Sequence, residues 1–326
     1  MEQVPAGRWA PLENIWIVST YLRLRGAGQD VRIVDRPVPG AINICCDERA
    51  GVTGDSSGAF LVLTQGDRDP LSWADYRLVQ SPEQLNGTNV TLIRHWPQPR
   101  IVARDTSRGD RLERVGYVGP VENLAAAFRG EEFRGALRET GVELVIRDDP
   151  AQWHDFADLD AYLAVRDWPW RLIRTKPATK LVHAWATGAI GLLGPEPSYQ
   201  YCGTDGEDYF EVRMPEDVLA VIRRLKADPA LCQRVRQRGF EKSREHDEQA
   251  VLQQWIDVLN GPVREAFERW RSAGPMTWRL RRMRRQWQRV TAPIHQKLFT
   301  LRSRRLRAVT RRMRRAGRPG NAGATA

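Results

Sequence analysis

Apolar residues along the chain alternate between a helical spacing and short continuous runs, and that alternation predicts the elements. Residues 13–25 place Ile15, Val18, Tyr21 and Leu22 on one helical face, and Gly26 and Gly28 end the pattern. A buried strand is expected over 31–34, with further strands over 41–45, 60–64 and 77–80, each bounded by Gly, Pro or Asp. Together these predict a small parallel-sheet domain over about residues 10–95. Residues 97–109 carry two prolines and a run of charges that break any period, the composition of an interdomain hinge, with Arg104, Asp105 and Arg108 as candidates to line a cleft beside it. The rhythm then restarts. A strand ending at Gly119, a helix over 120–129, a strand over 142–146 and another over 160–165 are expected. Further on, Val218, Leu219, Ile222 and Leu225 form the apolar face of a helix stopped at Asp228-Pro229, and two more helices run through Val235 and Trp255.

This order predicts an α/β protein with two Rossmann-like domains facing a cleft: an N-terminal domain over 1–105, a second over 106–260, and a basic helical tail over 261–326. The 326 residues, 41% of them apolar, suffice for two cores. Cys45, Cys46, Cys202 and Cys232 show neither metal-ligand spacing nor a secreted disulfide pattern, no signal-like segment opens the chain, and no run approaches the roughly 18 apolar residues of a membrane span. A cytoplasmic protein without a metal is expected. The net charge of +11 conceals an asymmetry, because residues 261–326 hold nineteen basic against two acidic residues, leaving residues 1–260 at −6. Such a tail points to its own anionic partner, membrane or nucleic acid.

The candidate chemistry gathers in 176–199, KPATKLVHAWATGAIGLLGPEPSY. Pro177 opens a helix whose first turn holds Thr179 and Lys180, where free backbone N–H groups favour an anion, and Lys176 adds a second charge. Leu181, Ala184, Trp185 and Gly188 recur at helical spacing, Gly188 suits a left-handed cap, and 190–193 reads as a buried strand. Gly194, Glu196, Ser198 and Tyr199 then emerge beyond the carboxyl end of that strand, and Arg166 beyond the one before it, which is where open parallel sheets bind ligands. Asp67-Arg68-Asp69 after the run FLVLT admits either a divalent ion on a diphosphate or a polar turn.

From Gly116 to Leu259 the element order resembles the carboxyl-terminal half of GT-B glycosyltransferases. His183-Ala184-Trp185-Ala186-Thr187-Gly188 looks like the family-four signature E-A-x-A-x-G, Gly194-Pro195-Glu196 resembles its following glycine-rich loop, and the helices from Pro215 to Gly239 resemble its terminal ones. The resemblance implies a nucleotide-sugar co-substrate with no cofactor, bound by Arg166, Lys176, Lys180, His183, Glu196, Ser198 and Tyr199. Two departures stand out. The family's paired Glu positions hold Thr175 and His183, and the basic pair expected after Gly119 is replaced by Pro120, Val121, Glu122 and Asn123.

In the tail, Leu280, Met283, Trp287 and Val290 share one helical face among arginines, and with Trp278 they form the pattern of an interfacial helix. The expected function is therefore transfer of a sugar to a glycan or lipid-linked acceptor at the cytoplasmic membrane face. A non-catalytic GT-B-like scaffold, favoured by the missing Glu pair, and a nucleic-acid-binding protein, favoured by the arginines alone, are the alternatives.

Overall fold

Four short apolar runs pair in the order in which they occur. In the computed structural model, which describes residues 14–46, 58–67 and 74–274 together with Met276, Thr277, Arg279, Leu280, Arg281, Met283, Trp287 and Leu301, β1 (Ile42–Cys46), β2 (Phe60–Thr64), β3 (Tyr76–Val79) and β4 (Val90–Leu92) form a parallel sheet in the order β1-β2-β3-β4. β2 is buried along its whole length. The expected strand over 31–34 does not form: the segment is irregular, and Ile33 and Val34 are about half exposed. Helix α1 (Ser19–Gly26) is present, but its buried face runs through Trp16, Thr20 and Leu24, with the expected Leu22 exposed. An i, i+4, i+8 line places those three in register with the core.

The second sheet is built from β5 (Arg114–Val118), β6 (Glu143–Arg147), β7 (Ala161–Ala164), β8 (Ile190–Leu193) and β9 (Phe210–Glu211), all parallel, in the order β6-β5-β7-β8-β9. Parallel strands need crossover connections: α2 (Glu131–Glu139) joins β5 to β6, α3 (Trp170–Ile173) and α4 (Thr179–Thr187) join β7 to β8, and α5 (Pro197–Cys202) joins β8 to β9. β6 and β7 are joined through a single 3-10 turn, and α6 (Pro215–Ala227) and α7 (Pro229–Ser243) follow the last strand. The helix expected over 120–129 is two short 3-10 turns instead, and α2 begins only after Gly130, where Phe133 and Leu137 can point into the core. All four apolar residues anticipated on α6 are buried.

Asp160, fully buried at the amino end of β7, accepts from both Arg104 and Arg108 at 2.8 Å and from the backbone N–H groups of Glu113 and Arg114. Burial pushes its carboxyl up, but these donors outweigh it and hold the group at about 2. Arg104 and Arg108 thus anchor the interdomain segment at the end of the sheet away from the ligand side, and do not line a cleft. The backbone of 102–105 is hydrogen-bonded to the second domain through His154, Phe156, Ala157 and Thr187, which confines the hinge to the residues between Trp96 and Val102.

A second crossing follows α7. Helices α8 (Glu248–Val258) and α9 (Arg264–Arg271) return to the first domain and complete its core, with Trp255 between Trp16 and Trp96, and Phe267 and Trp270 edge-on to Phe60. The sequence boundary at 260/261 therefore falls inside a packed element, and residues 263–270 belong to a core. Of the expected membrane-facing residues, Leu280, Met283 and Trp287 are exposed. Trp278 and Val290 lie outside the described residues. No helix among the described residues is long and apolar enough to cross a membrane.

Candidate functional site

The second sheet has one point where consecutive strands diverge, between β5 and β7, since the chain leaves β5 for one edge and returns to lay β7 on its other side. Open α/β sheets bind ligands beyond the carboxyl ends of the strands at such a point. Here those ends are Val118-Gly119 and Val165-Arg166. Gly119 has φ +132°, a conformation that side chains rarely adopt, and a Cβ there would sit 3.5 Å from the Lys180 Nζ.

Lys180 arrives from the first turn of α4. That helix is held by a buried face of Leu181, Ala184 and Trp185, and it ends at Gly188 in the left-handed conformation, φ +73°. Trp185 seats its ring against Gly239 of α7, where a Cβ would approach within 2.6 Å. So fixed, the Lys180 ammonium donates to the Val118 carbonyl and the Tyr162 hydroxyl, both at 2.8 Å, and lies 5.0 and 5.2 Å from the ring centres of Tyr117 and Tyr162. Its partners are neutral oxygens and ring faces, and among the described residues no carboxylate forms an ion pair with it. Burial, reinforced by the charge of Arg166 and opposed by Glu196, brings the group down to about 7.

The other two cations are engaged. Arg166 donates to Glu196 and, at 3.4 Å, to the Tyr199 hydroxyl, and lies 5.4 Å from the Trp168 ring centre. Despite burial, Tyr199 and Glu196 hold its guanidinium above the ordinary value. Glu196 is 1% exposed, and its second oxygen, Oε2, is buried with no hydrogen-bond partner among the described residues. Lys176 forms an ion pair with Asp67, at the end of β2 in the other domain. Beside it the Thr175 hydroxyl donates to the Asp67 carbonyl at 3.0 Å, and the Ser81 hydroxyl reaches the Arg174 carbonyl at 2.5 Å. These contacts clasp the two domains together next to the site.

Two of the expected ligand contacts have partners within the protein. Ser198 is buried and spends its hydroxyl on the Lys176 carbonyl, and Tyr199 is fully buried behind Arg166. Both support cations instead of facing a cleft. His183 packs edge-on against Phe156 at 6.3 Å, and burial, with His95 of the first domain and Lys180 contributing, holds it neutral, down to about 3. Arg166, Lys180, His183 and Glu196 are thus brought together, while Lys176 is drawn toward the first domain. Sequence reasoning missed Tyr117, Tyr162, Ser81 and His95. A tyrosine inside a strand gives no signal of facing a lysine, whereas Asp67 had one in its D-x-D, although Arg68 and Asp69 lie outside the described residues. No group of three or more His, Cys, Asp or Glu among the described residues is arranged to hold a metal ion.

No family profile and no curated protein matches the chain. Among solved structures, AviGT4, a glycosyltransferase involved in avilamycin A biosynthesis, superposes on 78% of this chain and 88% of its own, with a TM-score of 0.52 at 13% identity. The fold is GT-B. TarM is similar over 68% of this chain at 10% identity and a TM-score of 0.47, and the chain spans 55% of TarM's length. Of the two positions that the sequence resemblance assigns to a Glu pair, Thr175 gives its hydroxyl to the interdomain clasp and His183 is neutral.

Proposed function

We propose that the protein is a glycosyltransferase that moves a sugar from a nucleotide-sugar to a glycan or lipid-linked acceptor at the cytoplasmic membrane face. The observation that carries this reading is Lys180: an ammonium held by a carbonyl, a phenol and two rings at the divergence of β5 and β7, against the backbone of Gly119. A partly buried cation so placed is suited to an anion. In the transfer, the bond between the anomeric carbon and the phosphate oxygen breaks and one to the acceptor oxygen forms. The bonding electrons leave with the nucleotide phosphate, and the proton of the acceptor hydroxyl passes to an oxygen of that departing phosphate, directly or through water. Preorganised positive charge at that phosphate, from Lys180 with Arg166 behind it, is the main catalytic contribution. The orphaned Glu196 oxygen is an acceptor for a sugar or ribose hydroxyl.

Calorimetric titration with uridine, guanosine and adenosine diphosphates tests the reading directly. Binding of at least one is expected, together with release of that diphosphate from the corresponding nucleotide-sugar when acceptor is supplied. A protein that binds none of them is not a glycosyltransferase of this kind, and the scaffold reading, which the missing Glu pair supports, takes its place.

A further inference from the structure

The path of the chain beyond Glu248 bears on how the molecule meets its surroundings. Helices α8 and α9 are rooted in the first domain, where Phe267 and Trp270 pack on Phe60 of β2 at 5.5 and 5.7 Å. Arg281 donates to the Trp270 carbonyl at 3.2 Å, which ties the helical residues that follow to the end of α9. From that root project Met276, Leu280, Met283 and Trp287, at intervals of four, three and four, each between 62% and 74% exposed. This spacing lays them along one side of a helix. In the sequence, Arg279, Arg281, Arg282, Arg284, Arg285 and Arg289 are interspersed with them.

An exposed apolar stripe bordered by arginines calls for an occupant with an apolar interior and an anionic surface. A nucleic acid answers the arginines alone. The body of the protein, at −6 over residues 1–260, is repelled by the same anionic surface that attracts the +17 of residues 261–326, so the basic stretch must face it. We propose that residues 276–287 seat the first domain on an anionic bilayer, with the stripe in the headgroup region and the second domain, which carries Arg166 and Lys180, held away from the lipid. This deepens the glycosyl-transfer reading and depends on it only for what the bilayer delivers, an acceptor reaching the cleft from the first-domain side.

The test uses the full chain with phosphatidylcholine vesicles, with and without phosphatidylglycerol. Sedimentation with the anionic vesicles is expected, and little with the neutral ones. A variant with Met276, Leu280, Met283 and Trp287 all replaced by Ser keeps every arginine, and its partitioning should fall by about tenfold or more because the apolar burial is gone. A photoactivatable phosphatidylglycerol should label residues 264–287 and first-domain peptides in preference to residues 110–240. Three results would each overturn the proposal: no sedimentation of the full chain, equal vesicle binding by the Ser variant, or labelling centred on the second domain. Binding of a single-stranded oligonucleotide tighter than binding of anionic vesicles, and unchanged in the Ser variant, would assign the stretch to nucleic acid instead. Diphosphate titration of both proteins runs alongside. If neither binds a nucleotide, the glycosyl-transfer reading fails while the membrane result stands.

Discussion

A lysine enclosed by a carbonyl, a phenol and two ring faces holds its proton loosely, since burial disfavours the charged form. With Lys180 at about 7, binding an anion must raise that value and take up a proton. Affinity for a nucleoside diphosphate should therefore level off below pH 7 and fall above it, by at most about tenfold per pH unit. Titration in buffers of different ionisation enthalpy reads the proton directly. Lys180→Arg should flatten the profile, and Lys180→Met should lower affinity about ten- to hundredfold, the worth of one lost charged contact. A Lys180→Arg profile as steep as the wild type's would assign the proton elsewhere. The histidines make a separate prediction. Burial lowers His95, holds His183 at about 3 and His246 at about 4, so in the folded chain all three stay neutral where the unfolded chain takes protons. Stability should be fully present above about pH 6.5 and decline as the pH falls through that value toward about 4. Urea midpoints across this range should fall less steeply when His183 and His246 are replaced by Asn.

Between elements, close approach sets the geometry. The ring of Trp185 on α4 touches Gly239 of α7, so Gly239→Ala forces the two helices apart and should cost about 1–3 kcal/mol in denaturant unfolding. Because α4 carries Lys180, nucleotide affinity should drop in the same variant. The clasp between Asp67 and Lys176 predicts the opposite sign: Asp67→Asn releases a cation beside the site, and diphosphate affinity should rise severalfold, with unchanged affinity leaving Lys176 a clasp residue alone. Much of the second domain was legible in the sequence, since each of β7, β8 and α6 is a local apolar pattern between turn residues, and Arg166 follows from its place beyond a strand end and Lys180 from its place in the first turn of a helix. The first domain was less so. The buried face of α1 is decided by Trp255, more than two hundred residues away, and the partner of Lys176 lies 109 positions off. Neither pairing leaves a local trace, and the apolar residues over 31–34 satisfied a strand pattern but pair with neither edge strand of the first sheet, β1 or β4.

For the whole molecule, the chain crosses between the domains twice among the described residues, between Trp96 and Val102 and around Arg244–His246. The body does not end at 260. Removing everything after residue 274 should leave unfolding and nucleotide binding intact, whereas removal from 261 onward strips Phe267 and Trp270 from the first core and should cost several kcal/mol, about 3–5 for each large aromatic lost. Thermal unfolding of the two truncated proteins separates the outcomes, and equal midpoints would mean that α9 adds nothing to the core.

The return of α8 and α9 also fixes a schedule for synthesis. The cores of the second domain draw only on residues between 101 and 235, a contiguous stretch, whereas the main core of the first draws on residues 16–96 and again on 251–270. Domains fold as units while the chain emerges. The half that is made first must then wait, its β2 face uncovered, until the half that is made second has already folded and the closing helices arrive. A nascent chain halted just after α7 has left the ribosome should resist protease across the second domain and be cut within the first. A factor that shields apolar surface on nascent chains should stay bound over residues 58–96 until α9 emerges.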